Sequence, residues 1–294
     1  MYTSMKSILT HAHENNYAVM AANCVNMEIV KAIIGAAIEE NSAVIINISP
    51  RQFKAHANLE LLTPMIKNYA NSVHVPVALN LDHGQEYDDI CHAISVGFSS
   101  VMFDGSALSY EDNIGRTRLI SLIAHEHNCS VEAELGHVGV AKDGDGLRED
   151  YFTNPEQAVD FVEKTKVDCL AVAFGTAHGN YPEGVIPTLD FERLAELKKA
   201  LKMPLVMHGG SGSGEKNIKR SVELGINKIN VCTDLFNFGR DSIIKAIREN
   251  PKIDYMDLQH IGELAMKNYI KKYMRLIGSS QRYQYSNTAT KGFD

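Results

Sequence analysis

The sequence has 294 residues, 45% of them hydrophobic and 22% charged, with a net charge of −7. That is the composition of an ordinary soluble globule, long enough to bury a sizeable core in one large domain or two small ones. No basic tract with interleaved aromatics marks a nucleic-acid footprint, and no apolar run approaches the roughly 20 residues of a membrane span.

In chain order, Met1 to His13 is polar and has no apolar signal-peptide region. Tyr17–Asn23 reads as a first strand, Glu28–Asn41 as an amphipathic helix, and Ala43–Ser49 as a second strand stopped by Pro50. Leu59–Ser72 is helical. Val77–Gly84 is an apolar run that ends in Asp82 and His83, the pattern of a buried parallel strand with chemistry at its carboxyl end. Tyr87–Gly97 is a helix, Ser100–Asp104 a fourth strand, Tyr110–Asn128 a long helix and Ser130–Leu135 a fifth strand. Gly136–Asn154 interrupts the pattern with four glycines and a dense set of charges, a length typical of functional loops. The alternation resumes with helix Pro155–Thr165, strand Asp168–Ala173, a second loop Phe174–Pro187, and helix Asp190–Leu201. Strand Pro204–His208, the glycine-rich turn Gly209–Gly214 and helix Glu215–Leu224 follow, then strand Asn227–Val231 and helices Thr233–Glu249 and Tyr255–Leu276. The five cysteines are widely spaced and form no CxxC pair, which suits free thiols in a reducing compartment, so a cytoplasmic protein is expected.

Eight strand–helix units predict an α/β fold of the (β/α)8 barrel type, with residues 1–280 as a single domain and 281–294 as a polar tail. A barrel gathers its chemistry at the carboxyl ends of its strands. Those ends carry Asn23, Ser49, Asp82, His83, Asp104, Glu134, His178, His208 and Asn230. Three imidazoles, His83, His178 and His208, then converge on one mouth, an arrangement suited to a catalytic zinc with an open position. Gly209-Gly210-Ser211-Gly212 and Asn230-Val231-Cys232-Thr233 follow strands seven and eight, where backbone N–H groups and helix N-termini can hold a phosphate. A metal beside a phosphate site suggests a phosphorylated carbonyl substrate, with Asp82 exchanging a proton on a substrate hydroxyl. Aldol cleavage fits, and so do isomerisation and epimerisation.

The stretches Leu81–Gly84, Val131–Gly136, Gly175–Gly179, His208–Gly212 and Lys228–Asp234 together resemble the class II, zinc-dependent ketose-bisphosphate aldolases. The resemblance extends over roughly residues 5 to 280. It implies that His83, His178 and His208 hold Zn2+, that Asp82 exchanges the proton of the substrate's C4 hydroxyl, and that Asp104 and Glu134 match a second divalent-metal site. It implies that Gly179, Gly209, Ser211, Asn230 and Thr233 bind the dihydroxyacetone phosphate half, with Asn23 and Ser49 as polar positions nearby. It further implies a homodimer or homotetramer, an assisting monovalent cation and a place in glycolysis or related carbohydrate metabolism. Fructose 1,6-bisphosphate is the default substrate; tagatose 1,6-bisphosphate or another ketose 1-phosphate is the alternative.

Departures from the family pattern bear on specificity. The loop glutamate expected after strand five is replaced around Ala141 or Lys142, with Asp143 and Asp145 as substitutes. The family's Ala-Phe-Asn is Ala21-Ala22-Asn23 here, and its Gly-Ser-His is Gly105-Ser106-Ala107. Arg275 and Arg282 are the basic groups considered for a second phosphate. Two competing readings are a Schiff-base aldolase using Lys228, which could also point outward, and a metal-bearing sugar-phosphate binding protein that has lost catalysis.

Overall fold

The computed structural model describes residues 1–179, 181–182 and 184–284. Helix α1 (Met5–Glu14) opens the chain, with the Ser4 side chain accepting the Ser7 N–H at its N-terminus. Then come β1 (Val19–Asn23), α2 (Met27–Glu40), β2 (Val44–Ile48), α3 (Pro50–Ala55), α4 (Leu59–Asn71) and β3 (Val77–Gly84). The alternation continues through α5 (Tyr87–Val96), β4 (Ser100–Phe103), α6 (Tyr110–Glu126), β5 (Ser130–Leu135), α7 (Pro155–Thr165) and β6 (Cys169–Val172). It ends with α8 (Phe191–Leu201), β7 (Leu205–Met207), α9 (Glu215–Glu223), β8 (Ile226–Val231), α10 (Thr233–Glu249) and α11 (Tyr255–Leu276). All eight strands pair in parallel and close in sequence order, β1 to β8 and back to β1. The fold is a TIM barrel, as the alternation predicts.

Strand alternation divides the core in two. Outward side chains such as Met20, Ile46, Leu79, Val131 and Leu205 pack under the helices. Inward side chains such as Val19, Ile45, Ala78, Ala171 and Val206 meet Met5, Ile8, Leu9 and Ala12 of α1. Helix α1 therefore plugs the amino-terminal mouth, each buried apolar side chain contributing on the order of 1.5–3 kcal/mol. The strand–helix alternation left no place for this helix. Above the plug the interior turns polar: Asn47, Asn80, Glu132 and Lys228 are buried, then Asn23, Asp82, Glu134, His208 and Asn230 nearer the carboxyl mouth.

Two local differences from expectation have clear causes. Pro50 does not merely stop β2; it begins α3, where Ser49 and Gln52 form a reciprocal capping box. Residues 281–283 are tied down, since the N–H groups of Gln281 and Tyr283 donate to the Glu40 and Asn41 carbonyls at 2.7 and 2.9 Å. Residues 285–294 of the expected tail lie outside the described residues. No helix among the described residues is long and apolar enough to cross a membrane.

Candidate active site

The carboxyl end of β3 is irregular. Its pairing with β4 shifts register between Leu81 and Gly84, and His83 lies there at φ 53. Positive φ is uncommon outside glycine. In a regular strand Asp82 and His83 would face opposite sides. The twist brings both to one cavity at the carboxyl mouth, about 750 Å³ in volume.

Asp82 is clamped between two amides. Asn23 Nδ2 donates to its Oδ2 and Asn230 Nδ2 to its Oδ1, both at 2.9 Å. Asn230 Oδ1 in turn accepts from Lys228 Nζ at 2.7 Å. An ammonium can only donate, so the lysine fixes which end of the Asn230 amide faces Asp82. Lys228 also pairs with Glu132 Oε2 at 2.7 Å. It is fully buried and faces the barrel interior. The outward orientation considered from the sequence is therefore corrected: β8 alternates, and Lys228 shares its inward face with Asn230.

The three histidines converge. Ring centroids are 4.5 Å apart for His83–His208, 4.8 Å for His83–His178 and 5.7 Å for His178–His208. One ring nitrogen from each can be chosen so that all three lie within 4.8 Å of one another. Carboxylates behind two of the rings set their orientation. His83 Nδ1 meets Asp104 Oδ2 at 2.8 Å, and His208 Nε2 meets Glu132 Oε1 at 2.9 Å. His178 is placed through its backbone, its N–H donating to Gly139 O at 2.7 Å and its carbonyl accepting from Ala141 N at 2.9 Å.

The donor set fits a zinc ion. His208 Nδ1 is buried without a hydrogen-bond partner, which is costly for a polar nitrogen unless something else engages it. Carboxylates behind ligating imidazoles are the usual outer support of such a site. Burial and the neighbouring His83 charge keep His178 well below the ordinary imidazole range and His208 below it, the neutral form that ligates. Burial also opposes charge on His83, but Asp82, Asp104 and Glu134 outweigh it and raise that ring to about 10.

His83, Asp104 and Glu134 form a second set with ligand atoms within 4.8 Å. Burial and Asp104 push the Glu134 carboxyl up to about 8, and its Oε2 lies 3.4 Å from His208 Nδ1 without a hydrogen-bond partner. Burial and the electrostatic partners pull the other two carboxyls in opposite directions. The partners win: His83 holds Asp104 below the usual carboxylate range, while Lys228 and His208 hold Glu132 at about 2.

The glycine-rich wall lies across the mouth. Gly209 adopts φ +67, and a Cβ there would stand 2.5 Å from Ala177 O. A Cβ on Gly210 would meet Ile229 Cγ2 at 2.6 Å. These positions let the turn after β7 nest between the loop after β6 and β8. Gly179, Gly209, Gly210, Ser211, Asn230, Cys232 and Thr233 all line the cavity. Helix α10 begins there, and its N-cap makes no side-chain hydrogen bond; Asp234 N–H donates to Ser211 Oγ at 3.2 Å, while the Thr233 N–H is left for an anion.

A family model described as fructose-bisphosphate aldolase class-II matches residues 3–282. The chain belongs to the class II fructose-bisphosphate aldolase family. It is a class II aldolase, and hence a lyase.

Solved structures agree with this class II aldolase assignment. The chain is 32% identical to the YdjI aldolase of Escherichia coli K12, with a TM-score of 0.84 over 97% of this chain and 100% of that one. It is 31% identical to a Coccidioides immitis protein provisionally assigned as a fructose-1,6-bisphosphate aldolase, with a TM-score of 0.84 over 96% and 98% of the two chains. At 24% identity, a fructose-bisphosphate aldolase of Campylobacter jejuni shares the fold, with a TM-score of 0.81 over 95% and 96%.

Within this aldolase frame, the structure brings together most of the residues singled out in the sequence. Asn23, Ser49, Asp82, His83 and His178 line the same cavity as the glycine-rich wall, with Asp104 and Glu134 behind the histidines. Four of the residues singled out lie elsewhere in this structure. Val231 packs in the outer core, because its side chain alternates away from Asn230. Asp143 ends a short 3-10 turn, is exposed and does not line the cavity. Arg275 and Arg282 lie at the opposite mouth, one paired with Glu40 at the end of α2 and the other over the Tyr17 ring before β1. Missed from sequence were Arg51, Gln52, His56 and Gln85, which line the cavity beyond Asp82. The Ser49-Pro50-Arg51-Gln52 capping-box spacing was the available signal.

Proposed function

We propose that this class II aldolase cleaves a ketose phosphate, with fructose 1,6-bisphosphate as the default, into dihydroxyacetone phosphate and an aldehyde. Tagatose 1,6-bisphosphate or another ketose 1-phosphate is the alternative. The observation that carries the reading is the convergence of three imidazoles beside the amide-clamped Asp82, with His83 and His178 lining one cavity with the glycine-rich wall and His208 buried behind them. His83, His178 and His208 would hold Zn2+, with Asp104 and Glu134 suited to a second divalent ion. Bound there, zinc would act as a Lewis acid on the ketose carbonyl.

The protein's own groups would do the rest. The N–H groups of Gly179, Gly209, Ser211 and Thr233 would hold the phosphate of the donor half, while Gly210 N–H donates to the Asn230 carbonyl at 3.2 Å and fixes the turn. Ser49 and Asn23 would face the sugar hydroxyls. Asp82, kept in one rotamer by Asn23 and Asn230, would take the C4 hydroxyl proton as the C3–C4 bond breaks and the aldehyde carbonyl forms; the bonding pair stays with the donor half, which takes up a proton at C3 before dihydroxyacetone phosphate leaves. Both Asp82 oxygens already accept one amide N–H, so a substrate hydroxyl meets a fixed acceptor rather than a mobile one.

A screen of ketose mono- and bisphosphates with zinc supplied tests this, reading released dihydroxyacetone phosphate through a coupled NADH assay. Chelation is expected to abolish turnover, and His208→Ala to remove both zinc content and turnover. Full activity after exhaustive chelation would sink the proposal.

A further inference from the structure

The excursion after β5, Gly136 to Asn154, gives the cavity lining only Val140. It nonetheless touches the histidine set from behind. His83 and His208 each meet a carboxylate through a ring nitrogen, Asp104 and Glu132 respectively. The His178 ring makes no such bond among the described residues. The excursion holds His178 by its peptide groups instead. Gly139 O accepts the His178 N–H at 2.7 Å, and Ala141 N–H donates to His178 O at 2.9 Å, a bridge centred on Val140. Ala177, just before, has its own hold: its N–H donates to the Tyr181 hydroxyl at 2.8 Å.

Asp145 keeps the excursion in that position. In extended backbone, the peptide groups of successive residues point to opposite edges. Val140 is extended, at φ −107 and ψ 128. Gly139 O and Ala141 N–H face His178, so the Val140 N–H faces away, and Asp145 Oδ2 accepts it at 2.8 Å. The Asp145 carboxylate lies so close over Gly139 that a Cβ there would run into it. The residue after Asp145 is seated on the loop that carries His178: a Cβ on Gly146 would stand 2.8 Å from Gly175 O. Asp145 does not line the cavity. Its carboxylate is turned to the excursion itself, away from the proton-transfer role considered for it from the sequence.

We propose that Asp145 is a positioning residue for the metal site: by bracing Gly139–Ala141 against the His178 backbone, it sets how tightly the three imidazoles retain their ion. This rests on the reading of His83, His178 and His208 as zinc ligands. Two of those ligands are aimed by a carboxylate on the ring. The third is aimed by a carboxylate that acts through a braced stretch of backbone, so the excursion belongs to the outer support of the metal.

The test is a zinc titration of the metal-stripped full chain in competition with a chromophoric chelator, which reads affinity without turnover. Asp145→Ala should raise the zinc dissociation constant on the order of 10- to 100-fold. Asp145→Asn keeps an oxygen for the Val140 N–H and should recover most of that loss. On a His178→Ala background, Asp145→Ala should change the constant by less than about twofold, because its effect passes through His178. Glu149→Ala, an exposed change on the same excursion, should leave the wild-type affinity. Should Asp145→Ala fail to fold, Ala141→Pro carries the same expectation. It deletes the N–H given to His178 O, at the first residue of a 3-10 turn that follows an extended residue, where proline is accommodated. Wild-type affinity in Asp145→Ala would overturn the assignment, even with a lowered melting temperature, as would a full loss that persists without His178. A wild type that takes up no zinc would instead remove the zinc reading, and this assignment with it.

Discussion

Lys228 sits behind the candidate site and touches it only through its neighbours. Its ammonium lies in the barrel interior with Glu132 and Asn230, and those two reach His208 and Asp82. The ion pair is fully buried, so deleting one partner strands the other charge. Lys228→Met is expected to destabilise the fold by about 3–5 kcal/mol in denaturant unfolding. The double variant with Glu132→Gln should recover much of that, because no buried charge is left alone. A double loss equal to the sum of the singles would contradict the pairing. At this scale the sequence was informative wherever a polar side chain closed an apolar strand, as at Asp82, His83 and His208. It was less so for Lys228 and Val231. A motif read as a contiguous string ignores alternation, which sends Val231 outward and Lys228 inward. The shared placement of Asp82 and His83 was legible from their position at a strand end, but the register shift that produces it was not.

Among the elements, α3 was the least visible beforehand, though its residues line the cavity. It is six residues long, too short for its own propensity to hold it. The capping box and the Asn23–Gln52 hydrogen bond hold it instead. Ser49→Ala should cost about 1 kcal/mol of stability. Unchanged stability in denaturant unfolding would contradict the capping role. The strands and long helices were predictable from periodicity, with ends differing by a residue or two. The Gly136–Asn154 stretch was legible as a loop but not in its path. A bridge between Val140 and His178 ties it to the mouth, and a pairing between two loops has no periodic signature. That bridge leaves the Asp143 side chain outside the cavity.

Across the whole molecule, metal, proton and stability are linked. The His83 pKa in the metal-free fold is about 10, above the ordinary imidazole value of 6.5. Protonated His83 therefore stabilises the metal-free fold fully below about pH 6.5, and this contribution is lost as pH rises through about 10. A ligating imidazole must be neutral, so a bound metal has to displace that proton. The rise in melting temperature produced by a fixed free zinc concentration should then grow from pH 7 to pH 9 in differential scanning calorimetry. A rise that is flat or falls with pH would argue against His83 as a ligand.

The position of α3 in the chain has a further consequence. It lies between β2 and α4, contributes no barrel hydrogen bonds, and can change length or composition without disturbing the register of any strand. The glycine-rich wall, by contrast, is wedged against β8 by contacts that a Cβ would break. One end of the cavity is thus bound to the integrity of the barrel, while the other reaches it through single side-chain contacts: Gln52 of α3 accepts from Asn23, and Asn23 in turn holds Asp82. A change confined to α3 can therefore alter the cavity wall while leaving every ladder hydrogen bond in place, so long as Gln52 is kept.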